Sequence, residues 1–195
     1  MKKLKGYESA KPYSEQERLP AGGYILRVLN VEYQENDWGD VIILSFDIAE
    51  GEYKGFYNEN YENQASEDKK WKGNYRLRVP ADDGSDEDAW KQRRFKTIIA
   101  AFEDSNNGFH WDWDEQKLKG KVIGGIFNNK EYDYNGHTGF FTNCHSLTPV
   151  EKIRSGKFKI PEDTLLRHNE GAAQAVDNNG WMNVPDGIDE NLPFN

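Results

Sequence analysis

The chain holds one cysteine, Cys144, in 195 residues. An internal disulfide is therefore excluded, as is any multi-cysteine zinc site. The scarcity of cysteine suits a reducing compartment. Histidine is also sparse, with four copies, and Cys144-His145 is an adjacent pair rather than one at ligand spacing. The stretch Phe109-His110-Trp111-Asp112-Trp113-Asp114-Glu115 mixes a histidine with three acids, but its spacing matches no metal motif. It reads as a loop whose tryptophans pack inward while its acids face water. No metal and no cofactor are expected. Gly-x-Ser-x-Gly and a glycine-rich phosphate loop ending in Lys-Ser/Thr are both missing, so no motif points to catalysis and the expectation is a protein that is not an enzyme. A nuclease using His110 or His137 with nearby acids is the least favoured alternative. No apolar run is long enough to cross a bilayer. The basic start Met1 to Gly6 is followed by no apolar stretch, so no signal peptide is expected. These absences together imply a soluble, cytoplasmic protein without a membrane partner.

Aromatic residues are abundant: 6 Trp, 10 Tyr and 10 Phe make up 13% of the chain. That exceeds what a core of this size needs, so some rings must lie at the surface. With 36% hydrophobic and 30% charged residues, the length allows one folded domain with appendages. The net charge is −9, which by itself argues against phosphate binding. Its distribution softens the objection. From Pro161 onward there are seven acids and one base, Arg167, leaving the preceding part only three charges negative. The expected organisation is a flexible arm over 1–18, a folded domain over 19–160 and a disordered acidic tail over 161–195.

The domain reads as mainly β. Alternation predicts a strand from Tyr24 to Tyr33 after the turn Leu19-Pro20-Ala21-Gly22-Gly23, a hairpin loop around Trp38, and a strong β-branched strand from Val41 to Ile48. Tyr53 to Tyr61 is expected as a third, aromatic strand broken by Gly55, resuming from Trp71 to Val79. Ser85 is a candidate N-cap with acids in the first turn behind it. Trp90, Phe95, Ile98, Ile99 and Phe102 are read as the apolar face of the helix that follows, and Asn106-Asn107-Gly108 ends it. Strands over Lys121–Asn128 and His137–Asn143 flank the Asn135-Gly136 hairpin turn, with Gly124-Gly125 suggesting a bulge. A short helix over Pro149–Arg154 closes the domain. This order matches a five-stranded OB-fold-like barrel with one helix between strands three and four; a generic β-sandwich is the alternative.

Rings interleave with cations along the middle of the chain. Trp38 sits in the first loop, Trp71-Lys72-Gly73-Asn74-Tyr75-Arg76-Leu77-Arg78 alternates aromatic and basic residues, and Tyr132 and Tyr134 precede the Asn-Gly turn. Single strands are held by base–aromatic stacking along a basic groove, at about 1–3 kcal/mol per base. On residue type, Trp38, Trp71, Tyr75 and Tyr134 are the candidate stacking rings. Lys70, Lys72, Arg76 and Arg78 are the candidate phosphate contacts.

Two segments resemble a phage family, catalogued as a domain of unknown function, of OB-fold, single-strand-binding-like proteins. One is Leu19-Pro20-Ala21-Gly22-Gly23-Tyr24; the other is Phe46-Asp47-Ile48-Ala49-Glu50-Gly51-Glu52-Tyr53-Lys54-Gly55. The hairpin Asn128 to Phe141 is a weaker third likeness, and together they span most of residues 19–145. The ending Asp189-Glu190-Asn191-Leu192-Pro193-Phe194 resembles the tip of bacterial single-stranded DNA-binding proteins, with Asn191 where an acid is usual and Asn195 following the phenylalanine. The resemblance implies a non-catalytic single-stranded DNA-binding protein of phage or prophage replication or recombination. Its tail residues Asp189, Glu190, Leu192, Pro193 and Phe194 would recruit replication or recombination proteins, and an oligomer is compatible with it. An OB-like or sandwich protein–protein adaptor that does not bind nucleic acid is the alternative of a different class.

Overall fold

The computed structural model describes residues 18–134 and 136–166. The expected arm, Asn135 of the hairpin turn, and the tail from Arg167, including Asp189 to Phe194, lie outside the described residues.

Five strands form one antiparallel sheet in the order β3-β2-β1-β4-β5. They are β1 (Gly22–Gln34), β2 (Val41–Ile48), β3 (Asn74–Arg78), β4 (Val122–Tyr134) and β5 (His137–Thr148). Strand β1 is central; it pairs with β2 from Leu26↔Ile48 to Gln34↔Val41 and with β4 from Gly22↔Phe127 to Arg27↔Val122. The edge strands β3 and β5 each have one strand neighbour and do not pair with each other, so the sheet is open. The mainly β architecture and the long helix after the third strand match the sequence expectation; a closed barrel is not what is observed.

That helix, α2 (Asp86–Ser105), packs against β3, β4 and β5. Its buried stripe is Phe95, Ile98, Ile99 and Phe102, which meets Leu26, Leu44, Phe46, Leu77, Leu118 and Phe127 in one core. Its N-terminus is capped as expected, with the Asp88 N–H donating to Ser85 Oγ at 3.1 Å. A short helix α3 (Val150–Arg154) follows β5.

The expected strand over Tyr53–Tyr61 is instead a turn leading into helix α1 (Phe56–Glu62). Gly55 at φ 81° starts it. The orphan N–H groups of its first turn are satisfied from a distance. The Asp47 carboxylate on β2 accepts from Tyr57 N at 2.9 Å and Asn58 N at 3.2 Å. Tyr57 is buried edge-on against Phe46, ring centroids 5.4 Å apart. An acid at a helix N-terminus also suits the helix dipole. Residues 71–73 stay irregular ahead of β3 because the backbone passes close to its neighbours. A Cβ on Gly73 would lie 2.4 Å from Phe46 O and 2.8 Å from the Tyr57 ring.

Residues 161–166, the start of the expected tail, lie along β4. Thr164 pairs with Lys130 through Thr164 N to Asn129 O and Glu131 N to Thr164 O, both 2.9 Å. Asn128, fully buried, donates to Glu162 O at 2.9 Å and Thr164 Oγ1 at 3.1 Å. Residues 161–166 are therefore part of the folded body.

Candidate nucleic-acid interface

Alternation along β3 sorts the residues that the sequence had grouped. Tyr75 and Leu77 point into the core, whereas Arg76 and Arg78 are exposed. Tyr75 is only 6% exposed, so its ring is a core ring with no face open to a base, and it leaves the set of stacking residues. Its hydroxyl accepts from Arg94 at 3.4 Å.

The β1–β2 turn delivers Trp38 to the same edge. Pairing of Val41 with Arg78 and the bond from Val79 N to Asp40 O (2.9 Å) hold the turn beside the end of β3. Gly39 at φ 115° and the Tyr33 hydroxyl, which donates to the Asp40 carboxylate, fix its path. That hydrogen bond is the main reason the Tyr33 hydroxyl titrates late, pushed up to about 12. Trp38 is 59% exposed, with the Arg78 guanidinium 5.8 Å from its ring centroid.

A second indole–guanidinium pair lies on α2. Trp90 is 54% exposed, and Arg94 lies 5.6 Å from its ring centroid. The helix is held in place by buried Asp88, whose carboxylate accepts from Ala81 N (2.7 Å), Asp82 N (3.1 Å) and Gln92 Nε2 (2.8 Å). These bonds tie the loop leaving β3 to the first turns of α2, so Trp90 and Arg94 sit opposite Arg76 and Arg78. The sequence reading had put Trp90 on the apolar face. At about 100° per residue, Trp90 lies about 140° around the helix from Phe95, whereas Asp88 falls close to it. The polar Asp88 is thus on the buried stripe and the aromatic Trp90 is off it.

The result is a groove between β3 and α2 lined by Tyr75, Arg76, Leu77, Arg78, Trp90, Lys91 and Arg94. No acid lines it. Within the lining, Lys91 pairs with Glu87 at 2.8 Å. Trp90, Lys91 and Arg94 are groove residues that sequence reasoning missed; the helical-wheel angle was the signal that could have found them.

The remaining sequence candidates are placed elsewhere. Trp71 is half-buried, and its indole N–H donates to Phe46 O (3.1 Å) and Gly73 O (3.2 Å). Tyr61 tilts against it at 5.8 Å, with Lys69 Nζ 5.6 Å from the Tyr61 ring centroid. Lys70 is exposed, its backbone clasped by the Gln64 side chain in two 2.9 Å bonds. Lys72 is half-buried, and desolvation lowers its pKa. These residues form a second ring-and-cation cluster before β3. Tyr134, 40% exposed, ends β4 opposite His137, across the sheet from β3, and does not line the β3–α2 groove.

The residues of the nuclease alternative are not brought together. His110 is exposed with its Nδ1 3.7 Å from Glu103 Oε1, and His137 begins β5 at the far hairpin. Among the described residues no three of His, Cys, Asp and Glu group to hold a metal ion. The Cys144 thiol is buried, and burial raises its pKa strongly. Among the described residues no helix is long and apolar enough to cross a membrane. No family model matches the chain, and no curated protein matches it.

Proposed function

We propose that this chain binds single-stranded DNA without turnover, on an OB-fold-like body whose barrel is open along the β3–β5 seam. The observation that carries this reading is the groove between β3 and α2, where Arg76, Arg78, Lys91 and Arg94 line a surface with exposed Trp90, and with exposed Trp38 beside Arg78, and where no acid stands among the described lining residues of a chain of net charge −9. A cationic groove on an acidic protein is a localised feature, and rings flanked by guanidiniums are what stacking along a phosphate backbone requires. A guanidinium on one face of an indole leaves the other face for a base and its N–H groups for a neighbouring phosphate. The sheet order, with β1 between β2 and β4, fits an OB barrel with one seam unzipped. The setting in phage or prophage replication or recombination, and recruitment of partners by Asp189, Glu190, Leu192, Pro193 and Phe194, rest on the resemblance of the sequence segments.

Titration of oligo-dT at low salt tests the reading. Stacking on Trp38 and Trp90 quenches tryptophan emission, and the affinity falls steeply as salt rises because phosphate contacts release counterions. Absence of quenching at low salt rejects it.

The adaptor reading is favoured by a different surface. Trp113 is 79% exposed, stacked on Phe95 at 6.5 Å and flanked by Asp112 and Asp114. An aromatic platform with acids beside it suits a basic polypeptide. Trp113→Ala that abolishes binding to a partner protein, in a chain that does not bind oligo-dT, would establish that reading instead.

A further inference from the structure

The two edge strands of the sheet do not meet, and the opening between them is a groove of about 540 Å³ bounded by β3, α2 and β5. That lies within the about 300–1,000 Å³ typical of ligand sites. It shares Tyr75, Trp90 and Arg94 with the groove described above, so the two form one continuous surface. Its floor is apolar at Ile98 and Leu147, and its walls carry Arg93 and Arg94 from α2 and His145 from β5. As in the first groove, no acid lines it among the described residues.

The position of His145 is built by an irregularity in the strand. The β4–β5 register steps from Ile126↔Ser146 to Phe127↔Cys144, leaving His145 as the extra residue of a bulge. A bulge re-aims a side chain and breaks simple alternation. Here the two nearest core-facing residues, Cys144 and Leu147, are buried, and His145 is exposed at the groove.

We propose that the opening between β3 and β5 is a second nucleotide subsite of the same single strand. The strand crosses the β3 edge at Arg76 and Arg78 and continues into the opening. There one base lies against Trp90 and the apolar floor, and a phosphate lies between Arg93 and His145. The path leads toward α2 and the bulge of β5, away from Tyr134 at the hairpin end. The inference rests on the single-strand reading above and adds to it that the open seam is part of the footprint.

The test uses the full chain and a labelled oligo-dT of about 15 nucleotides, near the upper end of single-domain site sizes, with affinity read by anisotropy. His145→Glu weakens binding about fivefold at low salt and His145→Lys tightens it by a similar factor, and both differences shrink as salt rises. Opposite signs at one exposed position separate a phosphate contact from a structural effect, and thermal melts verify that both variants fold. Trp90→Ala weakens binding by about five- to a hundredfold. Wild-type affinity in both His145 variants, with Trp38→Ala still impaired, overturns the subsite and leaves the single-strand reading standing. A wild-type chain that binds no oligo-dT removes both.

Discussion

Three tryptophans show how residues of one type divide between surface and backbone anchoring. Trp38 and Trp90 each carry an arginine on an exposed ring, whereas Trp71 commits its indole N–H to backbone carbonyls. Trp38→Ala should leave the melting temperature within error and weaken oligo-dT binding about tenfold, because an exposed turn ring contributes stacking but little packing. Asp88→Ala should behave in the opposite way. It removes the acceptor of two backbone N–H groups and of Gln92, so unfolding in urea should show a loss of about 2 kcal/mol or more. Lys72 is an informative intermediate. Its pKa is lowered by burial, so the folded state binds that proton less readily than the unfolded chain does. Its charge therefore costs stability at neutral pH, and the cost fades as pH rises through its lowered folded value toward the ordinary lysine range. Lys72→Met should accordingly raise the melting temperature at pH 7 and flatten the stability gain on going to pH 10; a lower melting temperature would show that the ammonium is stabilising. Candidates on β3 were legible only as a set, since Tyr75 and Arg76 are equally plausible in composition, and the strand pleat sends one inward and the other outward.

At the scale of elements, strong local signals survived and long-range ones were invisible. The first two strands, the Ser85 cap, the helix after it and the final hairpin all follow from patterning that neighbouring residues agree on. Helix α1 did not, because its decisive interactions come from Asp47 and Phe46 on another strand, while its aromatic composition favours β structure. The opening between β3 and β5 was equally unreadable, since strand order allows closure and the side chains of α2 occupy its rim. The docking of residues 161–166 was hidden for a similar reason. The polar run after Ile160 has no periodicity, yet Thr164 pairs with β4 and buried Asn128 depends on Glu162 and Thr164 for acceptors. A chain ending at Leu166 should therefore be more stable than one ending at Ile160, by about 1–3 kcal/mol in chemical denaturation. Equal stability of the two would mean that water replaces both acceptors of Asn128 without cost.

For the whole molecule, the decisive property is where its charge lies. A net charge of −9 should repel a polyanion at long range, yet the β3–α2 groove and its continuation toward β5 are lined by arginines, with no acid among the described lining residues. Residues 167–195 contribute five acids and one base, so a large share of the opposing charge sits outside the groove-lining residues in sequence and can be removed by truncation. If those carboxylates compete with phosphate for Arg76, Arg78 and Arg94, a chain ending at Leu166 should bind oligo-dT severalfold more tightly than the full chain at low salt. The gap should close as salt screens both competitors, because the Debye length falls from about 30 Å at 0.01 M to about 8 Å at 0.15 M. Anisotropy titrations of both chains across that range distinguish competition from simple repulsion. A peptide spanning Asp186–Asn195, added in trans to the shortened chain, should restore the weaker affinity if it occupies the groove. If the shortened chain binds no more tightly than the full one at low salt, the terminal acids have no hold on the groove.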